Sequence, residues 1–432
     1  MTPTLELERL TSLIGALRTA GTRLSSRSTD SILSSLEKVV DLWTRQGSRW
    51  RREAETALPA ATGFSAEMVR YALPLMLEPL QSGALPRLLD VELGDRRVLD
   101  GFVGGRTAKG PSLVLHILSG NVAGLAALPV SLSLAIKSPI LVKAAQGDRV
   151  FPELFARSIA EVDPDLGASV VARYWRGGDR TLEDRVFAEV DLVVASGSDA
   201  SVAAARARSP ARFIGHGHRV SFAVVMREVL DSSDTAARAA AGLAEDVALW
   251  DQRGCLSPQI CFVEGGFDAA SQFACRLAPE FEKLDQRLPP GRMNFEEQSA
   301  VRRFRDEAEW RALGGAQAAV FAPTASLGWT IVVDGEPAFR PTPLCRSLRV
   351  LSLTHLDDLR HVLRPARPVL EAAGVAGAPA RCAEIEDLLA GAGVHWVAPI
   401  GRMQLAPLAW PQGGRPRIAD WVTWHGTDAQ KH

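Results

Sequence analysis

Two rhythms of apolar residues run along this chain, and the change from one to the other falls near residue 110. Before it, apolar positions recur at helical spacing in a polar background, which predicts amphipathic helices over residues 5–17, 29–46 and 65–80. A polar, glycine-rich stretch at 94–109 then reads as hairpin-like. From 112 onward, short continuous apolar runs alternate with helical segments, the signature of strand-helix-strand units in a parallel sheet buried on both faces. The runs predict strands at 112–118, 139–144, 169–174, 191–195 and 213–216, with helices at 122–135, 151–162, 182–189 and 199–208. A strand at 221–226 leads out, and a helix at 233–249 follows. A second alternating region carries strands at 260–263, 318–321, 330–333, 348–353 and 396–400 and helices at 269–283, 296–312, 356–363 and 383–389.

This pattern predicts an α/β protein in four blocks. A helical segment at 1–100 packs on a dinucleotide-binding α/β domain at 101–230, and a second α/β domain at 231–400 follows. A Pro- and Trp-rich extension at 401–432 packs on the body or on another subunit. One segment is long and apolar enough to cross a bilayer, since 110–136 holds no Asp, Glu, Lys or Arg. Ser119-Gly120-Asn121 interrupts it and Pro129 follows, so a buried strand, a turn and a buried helix fit it better.

Composition narrows the partners. A formal net charge of -1 over 432 residues offers no electrostatic footprint for nucleic acid or an anionic membrane. The thiols Cys255, Cys261, Cys275, Cys345 and Cys382 are odd in number and none has CxxC spacing, so neither a disulfide framework nor a metal site is indicated. Reduced thiols, and an N-terminus without the marks of a signal peptide, point to the cytoplasm. GxGxxG, Walker A, HExxH and GxSxG are absent, so ordinary dinucleotide, nucleotide, metalloprotease and hydrolase fingerprints fail.

The chemistry concentrates at Trp250-Asp251-Gln252-Arg253-Gly254-Cys255-Leu256-Ser257-Pro258-Gln259, where one thiol stands after a long Ala-rich helix and before a strand. A thiolate favoured by a helix end or by a cation such as Arg253 is a nucleophile for acyl transfer. A cysteine that packs as a small hydrophobe is the competing reading.

A strand ending in Ser119-Gly120-Asn121, a strand ending near Lys143, a Ser196-Gly197-Ser198 turn and then Cys255 together resemble the aldehyde dehydrogenase superfamily, which binds its dinucleotide without GxGxxG. More narrowly, three segments resemble the acyl-CoA reductases of the bacterial luciferase system, the LuxC-type fatty-acid reductase subunits. They are Gly215-His216-Gly217-His218-Arg219-Val220-Ser221-Phe222, the segment around Cys255, and Gly401-Arg402-Met403 with Pro407-Leu408-Ala409-Trp410-Pro411. The resemblance runs from about residue 100 to the C-terminus. It implies an aldehyde dehydrogenase-like fold of two doubly wound α/β domains with an N-terminal helical segment.

The resemblance also assigns roles. Cys255 would take the acyl group from a thioester, and Asn121 with the backbone N–H of Cys255 would stabilise the oxyanion; as a bare residue, Asn121 reads better as a helix cap, and the resemblance reverses that. Lys143 would meet the adenosine ribose or its phosphate, which favours NADPH while leaving NADH open, because Asp148 and Arg149 offer both an acid and a base. Ser196, Gly197 and Ser198 would approach the pyrophosphate at a helix N-terminus. The stretch 215–226 holds no carboxylate where aldehyde-oxidising relatives keep a water-activating glutamate, so the acyl-enzyme is fitted for reduction rather than hydrolysis. His216 and His218 start that stretch; His218 is the favoured proton donor, against a purely structural role.

The reaction implied is acyl-CoA + NAD(P)H + H⁺ → aldehyde + CoA + NAD(P)⁺. An acyl carrier protein or acyl-protein synthetase partner as donor, the oxidative CoA-acylating direction, and a non-catalytic scaffold are the alternatives. Superfamily members are dimers or tetramers, which implies a homo-oligomer.

Overall fold

The computed structural model describes residues 3–428. The chain divides into two compact units, one formed by residues up to Thr62, Leu73–His218 and Pro407 onward, the other by Gly63–Ala72 and Arg219–Ala406.

The first unit is built on a five-stranded sheet. After β1 (Arg106–Lys109) come β2 (Val114–Ile117), β3 (Ile140–Ala144), β4 (Val170–Tyr174), β5 (Leu192–Ser196) and β6 (Arg212–His216). The sheet order is β4-β3-β2-β5-β6, with every pairing parallel. The direction of winding reverses between β2 and β5, and ligands of open α/β sheets bind outside the carboxyl ends of the strands at such a switch point. One face packs Leu113, Leu115, Leu141 and Val193 against Leu10, Ile14 and Leu17 of the helix Pro3–Ser26 and against Val186 and Phe187 of the helix Arg180–Glu189. The helix Thr29–Thr44 starts at an N-cap, Ser28, whose side chain accepts from the Ser31 N–H. It buries Ile32, Leu36, Val39 and Trp43 at helical spacing, and Trp43 packs at a tilt against Phe151, ring centroids 4.9 Å apart, and donates from its indole to Ser158 at 2.8 Å.

The second unit holds seven strands: β7 (Val220–Val225), β8 (Pro258–Glu264), β9 (Ala318–Phe321), β10 (Thr330–Asp334), β11 (Ser347–Leu353), β12 (Leu370–Ala376) and β13 (Trp396–Pro399). Their order is β13-β12-β7-β8-β11-β10-β9, parallel except for β9 against β10. Strands β7, β8 and β11 are buried along their whole length, and each is mainly apolar with buried polar residues such as Ser221, Gln259 and Arg349 set into it.

Several expectations need correction. The 94–109 stretch does fold back on itself at a tight turn, where Val103 pairs antiparallel with Arg106, but its strand β1 finds its long partner elsewhere, pairing antiparallel with the C-terminal strand Thr423–Gly426, Arg106 opposite Gly426. The Pro- and Trp-rich extension therefore contributes a strand. The helix expected at 122–135 begins only at Ala127, and a turn through Gly124 (φ 88°) precedes it; a Cβ on Gly124 would lie 3.2 Å from the Leu73 side chain. Helices Arg49–Thr62 and Ala84–Leu93 and strand β12 escaped the sequence reading. The apolar segment 110–136 resolves into β2, that turn and the buried helix Ala127–Ala135, as its interruptions indicate. No helix of the described residues is long and apolar enough to cross a membrane.

Candidate functional site

At the carboxyl edge of the five-stranded sheet, backbone crowding fixes the loops. A Cβ on Gly147 would lie 2.5 Å from the Gly120 carbonyl, and one on Gly120 would lie 2.8 Å from the Ala145 Cβ. The turn carrying half-buried Asn121 thus rests directly on the loop after β3. Asp148 completes the junction. Its carboxylate accepts the Phe151 N–H at 3.0 Å and those of Gly124 and Val150, while burial pushes its pKa up to about 6. Arg149 points outward, its guanidinium stacked 3.5 Å from the Tyr174 ring centroid. Lys143 is buried with its Nζ 5.5 Å from the Trp175 ring; burial lowers its pKa, and Glu183 opposes that shift.

After β5, the chain turns at Ser196-Gly197-Ser198 into the helix Asp199–Arg208, capped by Ser198, whose Oγ accepts the Ser201 N–H at 3.2 Å. The Gly197 N–H donates to the His216 carbonyl at 3.1 Å. Asp199 in turn accepts the His218 N–H at 2.8 Å, and its carboxylate lies 2.2 Å from where a Cβ of Gly217 would be, so a side chain at 217 would push the carboxylate off that N–H. The His218 imidazole is exposed. Asn121, Lys143, Ser196, Gly197, Ser198 and His218 therefore all stand at the carboxyl edge of one sheet, while Cys255 belongs to the second unit. His116, which the sequence reading passed over, is buried in β2, and burial together with the charge of nearby His216 drives its pKa down to about 3.

The segment before Cys255 has an unusual backbone. The helix Ser233–Ala248 ends in three successive residues with left-handed φ, Trp250 (52°), Asp251 (50°) and Gln252 (66°). A second triplet, Leu344 (65°), Cys345 (54°) and Arg346 (57°), precedes β11. Such conformations cost side-chain-bearing residues of order 1–3 kcal/mol each and persist only where surroundings dictate them. Here the two triplets are tied together. Arg346 donates from Nε to Asp251 at 2.9 Å, and the Gln252 amide accepts the Ser347 N–H at 2.8 Å while donating to the Ser347 and Pro258 carbonyls at 2.8 Å each. Trp250 meets Phe64 edge-on at 5.1 Å, and its N–H points at Met68 Sδ.

Cys255 itself is the second residue of a β-turn closed by the Ser257 N–H on the Gly254 carbonyl at 3.1 Å, at the amino end of β8. It is half-buried. The neighbouring cation, Arg253, is engaged by Glu297 at 3.0 Å. Of the other thiols, Cys261 and Cys345 are buried, and burial raises both pKa values, that of Cys345 to about 11. Cys382 donates to the Ala378 carbonyl, and Cys275 lies exposed on the helix Gly266–Arg287.

Two α/β units of this topology define an aldehyde dehydrogenase fold. An aldehyde dehydrogenase from Brucella melitensis biovar abortus 2308 superposes with a TM-score of 0.72 at 12% identity, covering 97% of this chain and 89% of that one. The NADP-dependent glyceraldehyde-3-phosphate dehydrogenase of Bacillus halodurans C-125, in complex with NADP, gives 0.69 at 15%, with 98% and 92% covered. Within that fold, the chain belongs to the acyl-CoA reductase (LuxC) family, whose model matches residues 24–424. The long-chain acyl-protein thioester reductase of Vibrio harveyi is 24% identical over 350 residues, 75% of this chain and 69% of that protein.

Proposed function

We propose that the protein reduces a fatty acyl thioester to the free aldehyde through an acyl-enzyme on Cys255. Family membership carries this reading, and the Cys255 turn supports it: of the five thiols, this one sits on a braced turn at the amino end of a central strand. The Cys255 thiolate attacks the thioester carbonyl, the Asn121 amide and the Cys255 N–H hold the oxyanion, and collapse expels the donor thiolate. One thioester replaces another, so the exchange itself is near balance. After reduction, the thiohemiacetal on Cys255 loses its hydroxyl proton and releases aldehyde and thiolate together, with exposed His218 a candidate for the proton transfers.

Hydrolysis is disfavoured by the lack of a carboxylate in the stretch 215–226, where aldehyde-oxidising relatives keep a water-activating glutamate. Glu264 ends β8, on the order of 20 Å along the strand from its start, and is paired with Arg227 and Arg381. Glu371 is fully buried beside Arg219 at 3.5 Å and His395 at 3.6 Å. Both carboxylates thus face arginine partners.

The carboxyl edge of the first unit fits a dinucleotide: the turns at Gly120 and Gly197 lie at the switch point, and the capped helix Asp199–Arg208 begins there. When bound, a reduced nicotinamide cofactor supplies the hydride. Ser196, Gly197 and Ser198 would hold its pyrophosphate and Lys143 its adenosine ribose. The acid at the end of β3 is withdrawn, because Asp148 is buried in backbone N–H groups, and the outward cation is Arg149 on Tyr174. This favours NADPH, with Arg149 reading the 2′-phosphate. Arg149→Ala is therefore expected to weaken NADPH binding about tenfold while leaving NADH unchanged. Titration followed by tryptophan fluorescence measures both, and equal losses for the two would contradict the assignment.

Asn121→Ala is expected to slow acyl transfer to Cys255 by about 10²- to 10³-fold. Quenched-flow mass spectrometry of the acyl-enzyme measures this, and an unchanged rate would remove Asn121 from the oxyanion site. Acyl-CoA is the donor to test first. The Vibrio harveyi relative, a long-chain acyl-protein thioester reductase, favours a second reading, in which the acyl group arrives on a protein such as an acyl carrier protein or an acyl-protein synthetase.

A further inference from the structure

The Gly401-Arg402-Met403 motif has no part in the chemistry described so far, yet its surroundings lead to the Cys255 turn. Asp246, buried near the end of the helix Ser233–Ala248, accepts the N–H groups of Gly401 at 2.6 Å and Met403 at 3.1 Å. Gly242 on the same helix lies so near Gly401 that a Cβ would meet its Cα at 3.0 Å. A Cβ on Gly374 of β12 would lie 2.6 Å from Met403 Sδ, so the motif is seated between helix and sheet. The next residue uses that seat. Gln404 Nε2 donates to the Asp246 carbonyl at 3.1 Å and to the Ser257 hydroxyl at 2.9 Å, and Ser257 is the closing residue of the turn that presents Cys255.

From the other side comes Ser221, fully buried where the registers of β7 against β8 and of β12 against β7 both shift. Its hydroxyl accepts the Ala372 N–H at 3.1 Å and donates to the carbonyl of Cys255 itself at 2.6 Å.

The geometry points to Ser221 and Gln404 as positioning residues for the nucleophile, a two-sided clasp that fixes the orientation of the Cys255 turn. This rests on the assignment of Cys255 as the acyl acceptor. Acyl transfer requires the sulfur and the Cys255 N–H to be aligned with one carbonyl at once, and a misplacement of about 1 Å costs about a hundredfold. Alkylation by iodoacetamide requires only an accessible thiolate. A clasp that orients the turn therefore separates the two reactions, whereas residues that merely stabilise the fold affect both.

The test uses the full-length protein as wild type, Gln404→Met, which keeps the side-chain length without the N–H donor, Ser221→Ala, and the double variant. For each, the rate of acylation by a long-chain acyl-CoA and the rate and pH profile of iodoacetamide labelling are measured at Cys255 by peptide mass, so that exposed Cys275 does not interfere. Each single variant is expected to be acylated about 10- to 100-fold more slowly, with labelling and its pH profile changed by less than about threefold. The double variant is expected to lose less than the product of the two single losses, because both residues hold one turn. Acylation at the wild-type rate in both single variants, or labelling that falls in step with acylation, would overturn the clasp. If the wild type accepts acyl groups at normal speed while the variants match it, the clasp fails alone. A wild type that is labelled at Cys255 but never acylated there overturns the nucleophile assignment, and the clasp with it.

Discussion

Replacing Cys255 by alanine is expected to lower aldehyde formation by on the order of 10³-fold or more, the cost of removing a nucleophile whose covalent intermediate carries the reaction. The remaining thiols are poorly placed to substitute. Cys261 lies inside β8 and Cys345 in the buried left-handed triplet, and burial holds both protonated at neutral pH. Cys382 is turned onto the carbonyl of Ala378, one helical turn back. Cys275 is exposed but belongs to the surface of the helix Gly266–Arg287. Steady-state assays with acyl-CoA and NADPH measure the loss. A variant that retains more than about a tenth of the wild-type rate would mean that hydride reaches the thioester without an acyl-enzyme at this position.

The second large effect falls on stability. Arg346 is almost fully buried and shares its guanidinium between Asp251 at 2.8 Å and Asp285 at 3.5 Å, while the other Asp251 oxygen accepts the Gly291 N–H at 3.0 Å. Removing one partner of a buried pair leaves an uncompensated charge and costs about 3–5 kcal/mol. Arg346→Met keeps the bulk and removes the charge. It is expected to lower the melting temperature by on the order of 10 °C and to raise hydrogen exchange in residues 249–260. The two left-handed triplets lose one of their ties in this variant, so acylation of Cys255 should slow as well. A melting temperature within about 2 °C of wild type would show that the Gln252 contacts with Ser347 and Pro258 suffice to hold the strained backbone.

Much of the fold was legible because parallel strands buried on both faces leave short, mainly apolar runs. The helices over 151–162 and 199–208 and strand β9 coincide with their expected bounds, 199–208 because a Ser198 cap starts an Ala- and Arg-rich run that stops before Ser209-Pro210. Strand β12 was not legible. Leu370-Glu-Ala-Ala-Gly-Val-Ala376 has little β propensity and owes its place to partners on both sides, with Gly374 required for the close approach of Met403. The pairing of β1 with the C-terminal strand joins residues more than three hundred positions apart, and no local signal announces such a contact. The helix Arg49–Thr62 buries only Trp50, Ala54 and Leu58, a stripe too thin to stand out among its arginines and alanines.

At the site, the thiol, the Asn121 turn and the Gly197 turn were visible as residues, but their supports were not. Left-handed backbone is usually signalled by glycine or asparagine, and here Trp250, Gln252, Leu344 and Arg346 adopt it under tertiary hydrogen bonds. Asp148 and Arg149 looked like competing signals for the cofactor until burial of the acid separated them. The hydroxyl of Ser221 stood in a recognisable motif with no visible purpose, because its partner carbonyl lies 34 residues away.

The most direct test of the central proposal is intact-protein mass spectrometry after mixing with a long-chain acyl-CoA in the absence of reduced cofactor, with Cys255→Ala beside the wild type. One acyl group on the wild type, none on the variant, and discharge to aldehyde on adding NADPH is the expected result. An adduct that persists in Cys255→Ala, or one released as free acid rather than aldehyde, would contradict it.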